Sequence, residues 1–367
     1  MLALFSAAAC STGQFDFDLL VIGGGSGGIA CAKEAASLGA SVALADYVHP
    51  SARGTTWGLG GTCVNVGCIP KKLMHRAGQL RRIIEQDAPA FGYDLSPLEG
   101  EEGEEGEGVQ EKAPHVAHSW STLVLHVQRH IKSLNFGYLS SLRKKGVVYF
   151  NKHASFAGGH QVMLRGPKGD EKVVSARQIV IAVGGRPRLP EGFEGASEAC
   201  IVSDDLFSLK TAPGASLVVG GGYVALECAG FLRSLGFEVS LLLRSIPLRG
   251  FDRQCSEMVL SQLEGEGVRV IRGSPLHAER LPSSRTRVRW EEATGGQHEA
   301  EFETVLVATG RTADTKSLQL SAVGLSANRD GKISSVDEAT GVPHVFVIGA
   351  SLPLPCRFSF NSPIATQ

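Results

Sequence analysis

Cys63 and Cys68 are separated by four residues in the run Cys63-Val-Asn-Val-Gly-Cys68. In a reducing compartment, a close thiol pair in a chain of this length is more often catalytic than structural. Residues five positions apart on an ideal helix have Cα atoms ~8–9 Å apart. A disulfide needs about 4.4–6.8 Å. Bridging the pair therefore requires a distorted first turn, and Gly67 supplies backbone freedom there. Lys71 and Lys72 follow, and a cation beside a thiol favours the reactive thiolate. The spacing alone leaves both a redox pair and two buried, inert thiols open. There is no C-x-x-C repeat, which argues against a structural zinc site.

Two glycine turns offer a second chemistry, the binding of phosphate. The first is Gly23-x-Gly25-x-x-Gly28, with Gly24, Ser26 and Gly27 between its members. In such a turn the first glycine permits the tight bend and the second admits a pyrophosphate to the backbone. The third lets helix and strand pack closely, so the phosphates meet the helix N-terminus. Asp46 lies 23 residues after Gly23, at the end of the next apolar run, placed to accept hydrogen bonds from ribose hydroxyls. The second turn is Gly220-x-Gly222-x-x-Ala225, with Gly221 in between. The equivalent region beyond it holds no acid. It holds Arg244, 24 residues after Gly220, and then Arg249. A carboxylate repels a 2′-phosphate and guanidinium groups bind one. The first turn therefore suits an adenosine ribose without 2′-phosphate, and the second suits NADPH. The alternatives are a structural glycine turn and surface arginines in a basic turn.

The elements that must carry these residues are legible as βαβ units. FDFDLLVIGGGSGGIACAKEAASLGASVALAD, residues 15–46, reads strand, turn, helix, strand, and the same grammar returns in SLVVGGGYVALECAGFLRSLGFEVSLLLR, ending at Arg244. The expected fold is α/β with two Rossmann-like dinucleotide-binding domains. Helical segments are expected after Cys68 and over 118–145, and short strands over 147–164 and 173–183. The stretches 179–190 and 305–314 read as strands that each end in a glycine turn, where the chain passes between domains. The run EGEEGEEGEGVQE at 99–111, with seven Glu and four Gly, reads as a solvated acidic loop.

Composition narrows the class. Of 367 residues, 43% are hydrophobic and 20% charged, and Lys+Arg 36 against Asp+Glu 37 leaves a net charge of −1. That balance argues against a nucleic-acid partner or a polybasic membrane surface, and no apolar run has the length of a membrane span. Eight cysteines in a chain this long do not make a stapled secreted domain. Cys31 and Cys228 lie in Ala-rich segments and read as small core residues. His126 and His130, at i, i+4 spacing with no carboxylates near them, read as a helix face rather than a metal site. Residues 1–15 read as a frayed lead-in that lacks the basic residues of a targeting signal.

GGTCVNVGCIPKKLMH, residues 60–75, resembles the redox signature of the pyridine nucleotide–disulfide oxidoreductases, a family that includes glutathione reductase, lipoamide dehydrogenase and thioredoxin reductase. The run WGLGGTCVNVGC and the turn RSIPLRGFD (244–252) resemble the high-molecular-weight thioredoxin reductase branch rather than glutathione reductase, which stays as the alternative. DYVHPSARG (46–54) resembles its mitochondrial member, with the cytoplasm as the alternative location. The resemblance implies FAD at the first turn, NADPH at the second, and thioredoxin as substrate. It implies that Cys68 is the thiolate against the flavin and Cys63 the interchange thiol. It implies that Lys71 sits near the reactive flavin nitrogen with Glu227 as its ion-pair partner, and that Tyr223 covers the flavin. Ser26, Gly27, Thr62 and Ala154 match FAD contacts, and Gly310 matches a glycine beside NADPH. The implied organisation is an FAD domain over 16–185 and 311–349, an NADPH domain over 186–310, and a divergent tail over 350–367.

The resemblance also carries an expectation about the end of the chain. After VPHVFVIG the family reads Asp, which holds the ribityl–phosphate region of the flavin; here Ala350 follows Gly349. By resemblance, the C-terminal dimerisation domain of the family homodimer is expected to be absent, together with the acid/base pair it donates and the redox tail. Cys356 has no neighbouring redox residue to replace that tail. Turnover is then expected to be incomplete, and a non-catalytic FAD/NADPH-binding fragment or a dominant-negative partner is the rival reading.

Overall fold

The structure is a computed structural model and describes residues 14–93 and 118–352. The lead-in up to residue 13, the acidic run 99–111, and the tail from 353 with Cys356 lie outside the described residues. The chain divides into two compact units, one of 1–68, 130–188 and 311–367, the other of 69–129 and 189–310. The chain crosses between these units at 68/69, 129/130, 188/189 and 310/311. Residues 69–129, which the sequence reading carried in the FAD domain, group by contact with the second unit.

The first unit is built on a parallel sheet whose strands run Val148–Phe150, Val42–Ala45, Phe17–Ile22, Glu171–Ile181 and Val345–Val347 in space. In chain order that is 3-2-1-4-5, so the sheet reverses direction of growth beside its first strand, the place where doubly wound sheets bind ligands. The first strand reads LLVI without alternation because both its faces are covered. Leu19 and Val21 pack with Ile29, Ala32 and Ala35 of helix Ser26–Ser37. Leu20 and Ile22 pack with Phe156 and Leu164 on the other face. Glu171–Ile181 is long enough to serve twice, since its first half pairs antiparallel with Gln161–Arg165, which pairs with His153–Gly158.

The second unit repeats the first four places of this order. Arg269–Arg280, Val239–Leu243, Ser216–Val219 and Thr304–Val307 lie parallel and adjacent, and Ile201–Val202, which precedes all four in the chain, pairs outside them. An antiparallel annex, Thr286–Glu292 and Gln297–Phe302, hangs on the far half of Arg269–Arg280. Helix Tyr223–Ser234 buries Ala225, Leu226, Cys228, Ala229, Phe231 and Leu232.

Within this unit, helix Cys68–Arg82 runs beside helix Tyr223–Ser234. Lys71 meets Glu227, and seven residues further along both helices Gly78 meets Ser234. Two turns of helix separate the contacts on each partner, so the helices run in the same direction along this seam. A Cβ on Gly78 would lie 2.5 Å from the Ser234 Cβ. Gly78→Val is expected to lower stability by about 1–3 kcal/mol through overpacking, against a small gain in helix propensity. Urea denaturation measures the loss, and an unchanged midpoint counts against the seam.

Candidate functional site

The first glycine turn joins strand Phe17–Ile22 to helix Ser26–Ser37. A Cβ on Gly28 would fall 1.9 Å from the Gly23 carbonyl oxygen, and one on Gly23 would fall 2.3 Å from that of Ala182. Strand, turn and helix are therefore held at distances that only hydrogen side chains allow. Gly25 is the N-cap and supplies no side-chain acceptor, so the first-turn N–H groups around Ser26, Gly27 and Gly28 keep the polarity that attracts phosphate.

Asp46 ends the neighbouring strand. Its Oδ1 accepts a hydrogen bond from the Gly24 N–H at 2.8 Å. Burial pushes the Asp46 carboxyl up from its ordinary range, opposed by the N–H groups of Gly24 and Tyr47. Part of its acceptor capacity thus ties down the turn, a use that the ribose reading did not include. Gly23, Asp46 and Ala154 line one pocket, together with Tyr47, His49 and His153. The last three were not singled out from sequence.

The cysteine segment leans directly on this turn. The Gly60 N–H donates to the Gly24 carbonyl at 2.9 Å, and a Cβ on Gly61 would lie 2.6 Å from the Gly25 Cα. Helix Gly61–Val66 starts at that contact and carries Thr62 and Cys63. It breaks at Gly67, and helix Cys68–Arg82 begins one residue later. The distorted turn expected from the spacing is this break. A Cβ at Gly67 would lie 2.9 Å from the Thr62 carbonyl oxygen and 3.2 Å from the Cys63 Cα, so the backbone folds back onto Cys63 where no side chain intervenes. Cys63 is half-buried and Cys68 is exposed at the first position of its helix. A helix N-terminus favours an anionic sulfur.

Two polar clamps hold this segment, and neither was found in the sequence. Asn65 is buried; its Nδ2 donates to the carbonyls of Gly58 at 3.1 Å and Gly61 at 2.8 Å. Its Oδ1 accepts from Asn135 at 2.9 Å, and Asn135 also donates to the Leu59 carbonyl at 2.6 Å. Arg311 donates to the Thr62 hydroxyl at 3.1 Å and to the Gly185 carbonyl.

In the second unit, Gly220–Gly222 precedes helix Tyr223–Ser234, whose N-cap Gly222 again lacks a side-chain cap. Ala225 fits the third position, 3.4 Å from where a Gly220 Cβ would lie. Tyr223 is exposed at the start of this helix. Arg244 is exposed at the end of strand Val239–Leu243, and Arg249 is exposed with its Nη2 on the Ser245 hydroxyl at 2.9 Å. Gly310 is exposed just past strand Thr304–Val307. Lys71 Nζ and Glu227 Oε1 are 2.7 Å apart, with side chains 25% and 40% exposed. Glu227 is thus paired with Lys71 on the helix surface rather than turned into the core. A pair this wet stabilises the fold by about 1 kcal/mol at most, so its presence points to placement of charge more than to stability.

The remaining groups of interest sort plainly. Cys31 and Cys228 are buried, and burial pushes their thiols up to about 11 and about 12. His126 and His130 are exposed on helix Trp120–Lys144. Among the described residues no group of three or more His, Cys, Asp or Glu could hold a metal ion, and no helix is long and apolar enough to cross a membrane. Ala350 is exposed in the turn Gly349–Ser351, two residues after Ile348, whose Cδ1 would be 3.3 Å from a Cβ on Gly27. The chain therefore passes the helix N-terminus at this point without presenting a carboxylate.

Known proteins give the same grouping of residues a lineage. Residues 17–358 match the family described as pyridine nucleotide-disulphide oxidoreductase. The chain is 46% identical over 360 residues to the thioredoxin reductase SEP1 of Emiliania huxleyi, covering 96% of this chain and 69% of that protein. It is 43% identical over 345 residues to thioredoxin reductases of two Plasmodium falciparum isolates, FCH-5 and 3D7; the match covers 91% of this chain and 59% and 51% of theirs. The chain thus spans from about half to about two thirds of the length of these relatives. With the cysteine run, both glycine turns and the repeated sheet order inside the matched span, the chain belongs to the pyridine nucleotide-disulphide oxidoreductase family.

Proposed function

We propose that this chain carries the reductive half of an NADPH-dependent disulfide reductase of the thioredoxin reductase type, with FAD at the first glycine turn and NADPH at the second. The observation that supports it most is the backbone contact of Gly60 and Gly61 with Gly24 and Gly25, because it ties the start of the cysteine helix to the turn that would hold a dinucleotide phosphate. The resemblance of WGLGGTCVNVGC and RSIPLRGFD supports the high-molecular-weight branch. That of residues 46–54 alone supports a mitochondrial location, which fractionation of the tagged chain tests.

The residues fit FAD at its phosphate and adenosine ends. Ser26, Gly27 and Gly28 offer the helix N-terminus, Asp46 an acceptor for ribose, and Thr62 and Ala154 flank the turn and the pocket. Bound FAD supplies a carrier able to take two electrons from a nicotinamide and give two to a disulfide. Overall, NADPH and one proton convert a disulfide to two thiols and NADP⁺. Cys68 keeps the thiolate at its helix N-terminus and Cys63 passes electrons to the outer acceptor. Lys71, oriented by Glu227, places a positive charge that favours developing negative charge. Tyr223 covers the nicotinamide position until the nucleotide enters. Arg244 and Arg249 grip the 2′-phosphate.

Three outcomes test this. Anaerobic NADPH titration of the FAD-loaded chain should develop a long-wavelength absorbance band, and Cys68→Ser should abolish it; a band that survives the substitution removes Cys68 from its role. Arg244→Ala and Arg249→Ala should each raise KM for NADPH about tenfold or more, the loss of one charge-assisted hydrogen bond, and leave KM for NADH nearly unchanged. Equal effects on both nucleotides would contradict the phosphate assignment. Ala350→Asp should slow FAD loss several-fold, read from flavin fluorescence on dilution; an unchanged rate would show that an acceptor at this turn does not touch the cofactor.

A further inference from the structure

The segment 46–58 forms no helix or strand, yet it supplies Tyr47 and His49 to the pocket that also contains Gly23 and Asp46. It leaves the sheet at Asp46, whose N–H bonds the Phe150 carbonyl at 3.0 Å. At its far end Gly58 is held by Asn65. Its middle closes on itself. Ser51 N–H donates to the Thr55 carbonyl at 3.0 Å, and the Ser51 hydroxyl accepts from the N–H groups of Arg53 and Thr55. Those bonds shape the turn.

Arg186 meets the segment at two points. Arg186 Nη2 donates to the His49 carbonyl at 2.9 Å, and the Arg186 guanidinium lies 4.5 Å from the centre of the Trp57 ring. The two anchor points are eight residues apart in the same segment. Arg186 itself has a rigid base. Its strand Gly185–Pro187 pairs antiparallel with Arg311–Ala313, Thr312 opposite Arg186. What the latch keeps in place is a trio of rings. Tyr47 and His49 meet edge to face at 5.0 Å, His49 and His153 lie 5.0 Å apart, and Tyr47 meets His153 edge to face at 6.2 Å. His153 is anchored independently by Ser317 at 2.9 Å. The trio therefore has one ring on the sheet and two on the segment that Arg186 ties down.

We propose that Arg186 is a positioning residue that latches segment 46–58 through His49 and Trp57, and that this latch sets how firmly the pocket retains the aromatic base of its dinucleotide. Arginine suits the task better than lysine, because a planar guanidinium stacks on an indole while an edge N–H still reaches a carbonyl. The inference rests on the FAD reading for the identity of the ligand. The latch itself rests on the contacts alone.

Two readouts separate the two claims. Arg53 is exposed within the segment, so tryptic cleavage after Arg53 in the FAD-free full chain reports opening of the latch. Arg186 precedes Pro187, so replacing it removes no ordinary tryptic site. Arg186→Ala should speed this cleavage about tenfold and speed FAD release from the loaded chain by a similar factor, with little change in the urea midpoint. Arg186→Lys should recover part of both effects. Trp57→Ala should reproduce them, and the double variant should be no worse than Arg186→Ala, since both remove one device. Should Arg186→Ala not fold, Arg186→Lys and Trp57→Phe carry the same comparison. Unchanged cleavage overturns the latch. Faster cleavage with unchanged FAD release overturns its control of retention. A wild-type chain that takes up no FAD overturns the functional reading, while the cleavage series still decides the latch.

Discussion

The candidate site depends on a contact between two stretches of bare backbone. Gly60 and Gly61 lie on Gly24 and Gly25 with one hydrogen bond of 2.9 Å and no room for a Cβ on Gly61. A helix N-terminus with open N–H groups is a general anion site, and two cysteines near each other are common. The contact makes them one site, because helix Gly61–Val66 cannot move relative to the phosphate turn without breaking it. Reacting groups must be placed to within about 1 Å for efficient chemistry. A side chain at Gly61 would separate the two stretches by about that much. The four glycines are therefore a distance constraint, and their chemistry lies in what they omit.

Backbone contacts of this kind need lateral support, and the structure provides it with buried polar groups. Asn65 spends its amide on two carbonyls of the glycine stretch, and Asn135 closes the remaining acceptor. A buried amide left without partners costs about 1–3 kcal/mol, so the same bonds that orient the stretch also penalise any arrangement that loses them. Arg311 does the equivalent for Thr62, the residue before Cys63. The cysteine helix is thus held at its start by backbone, underneath by amides, and at Thr62 by a guanidinium, while Cys68 opens onto solvent.

How much of this could be read from the amino-acid sequence follows from range. The two βαβ units were legible because strand runs such as LLVI are buried on both faces and the glycine spacing is local. The break at Gly67 was legible because a helix cannot bring Cys63 and Cys68 together. The Lys71–Glu227 pair spans 156 residues and was reachable only through resemblance. The Asn65–Asn135 and Arg311–Thr62 bonds span 70 and 249 residues, and nothing in the local pattern marks either partner. The grouping of 69–129 with the second unit has the same origin. Gly78 admits the close approach of Ser234 there, and an isolated glycine in a helix reads only as a propensity penalty.

The two turns also differ in how they would tell one nucleotide from another. At the first, the acid is Asp46, drawn partly inside and bonded to the turn it guards. A 2′-phosphate there would meet a carboxylate that cannot swing away without giving up the Gly24 bond, so exclusion is built into the backbone and is little screened by salt. At the second, Arg244 and Arg249 stand in solvent at the strand end, where attraction to a phosphate fades over a Debye length of about 8 Å at physiological ionic strength. On the proposed reading, selection at the first turn would be steric and electrostatic together, whereas at the second it would be a surface charge effect that weakens as salt rises. The same βαβ scaffold, repeated with an acid in one copy and guanidinium groups in the other, would thus offer the two dinucleotides different partners.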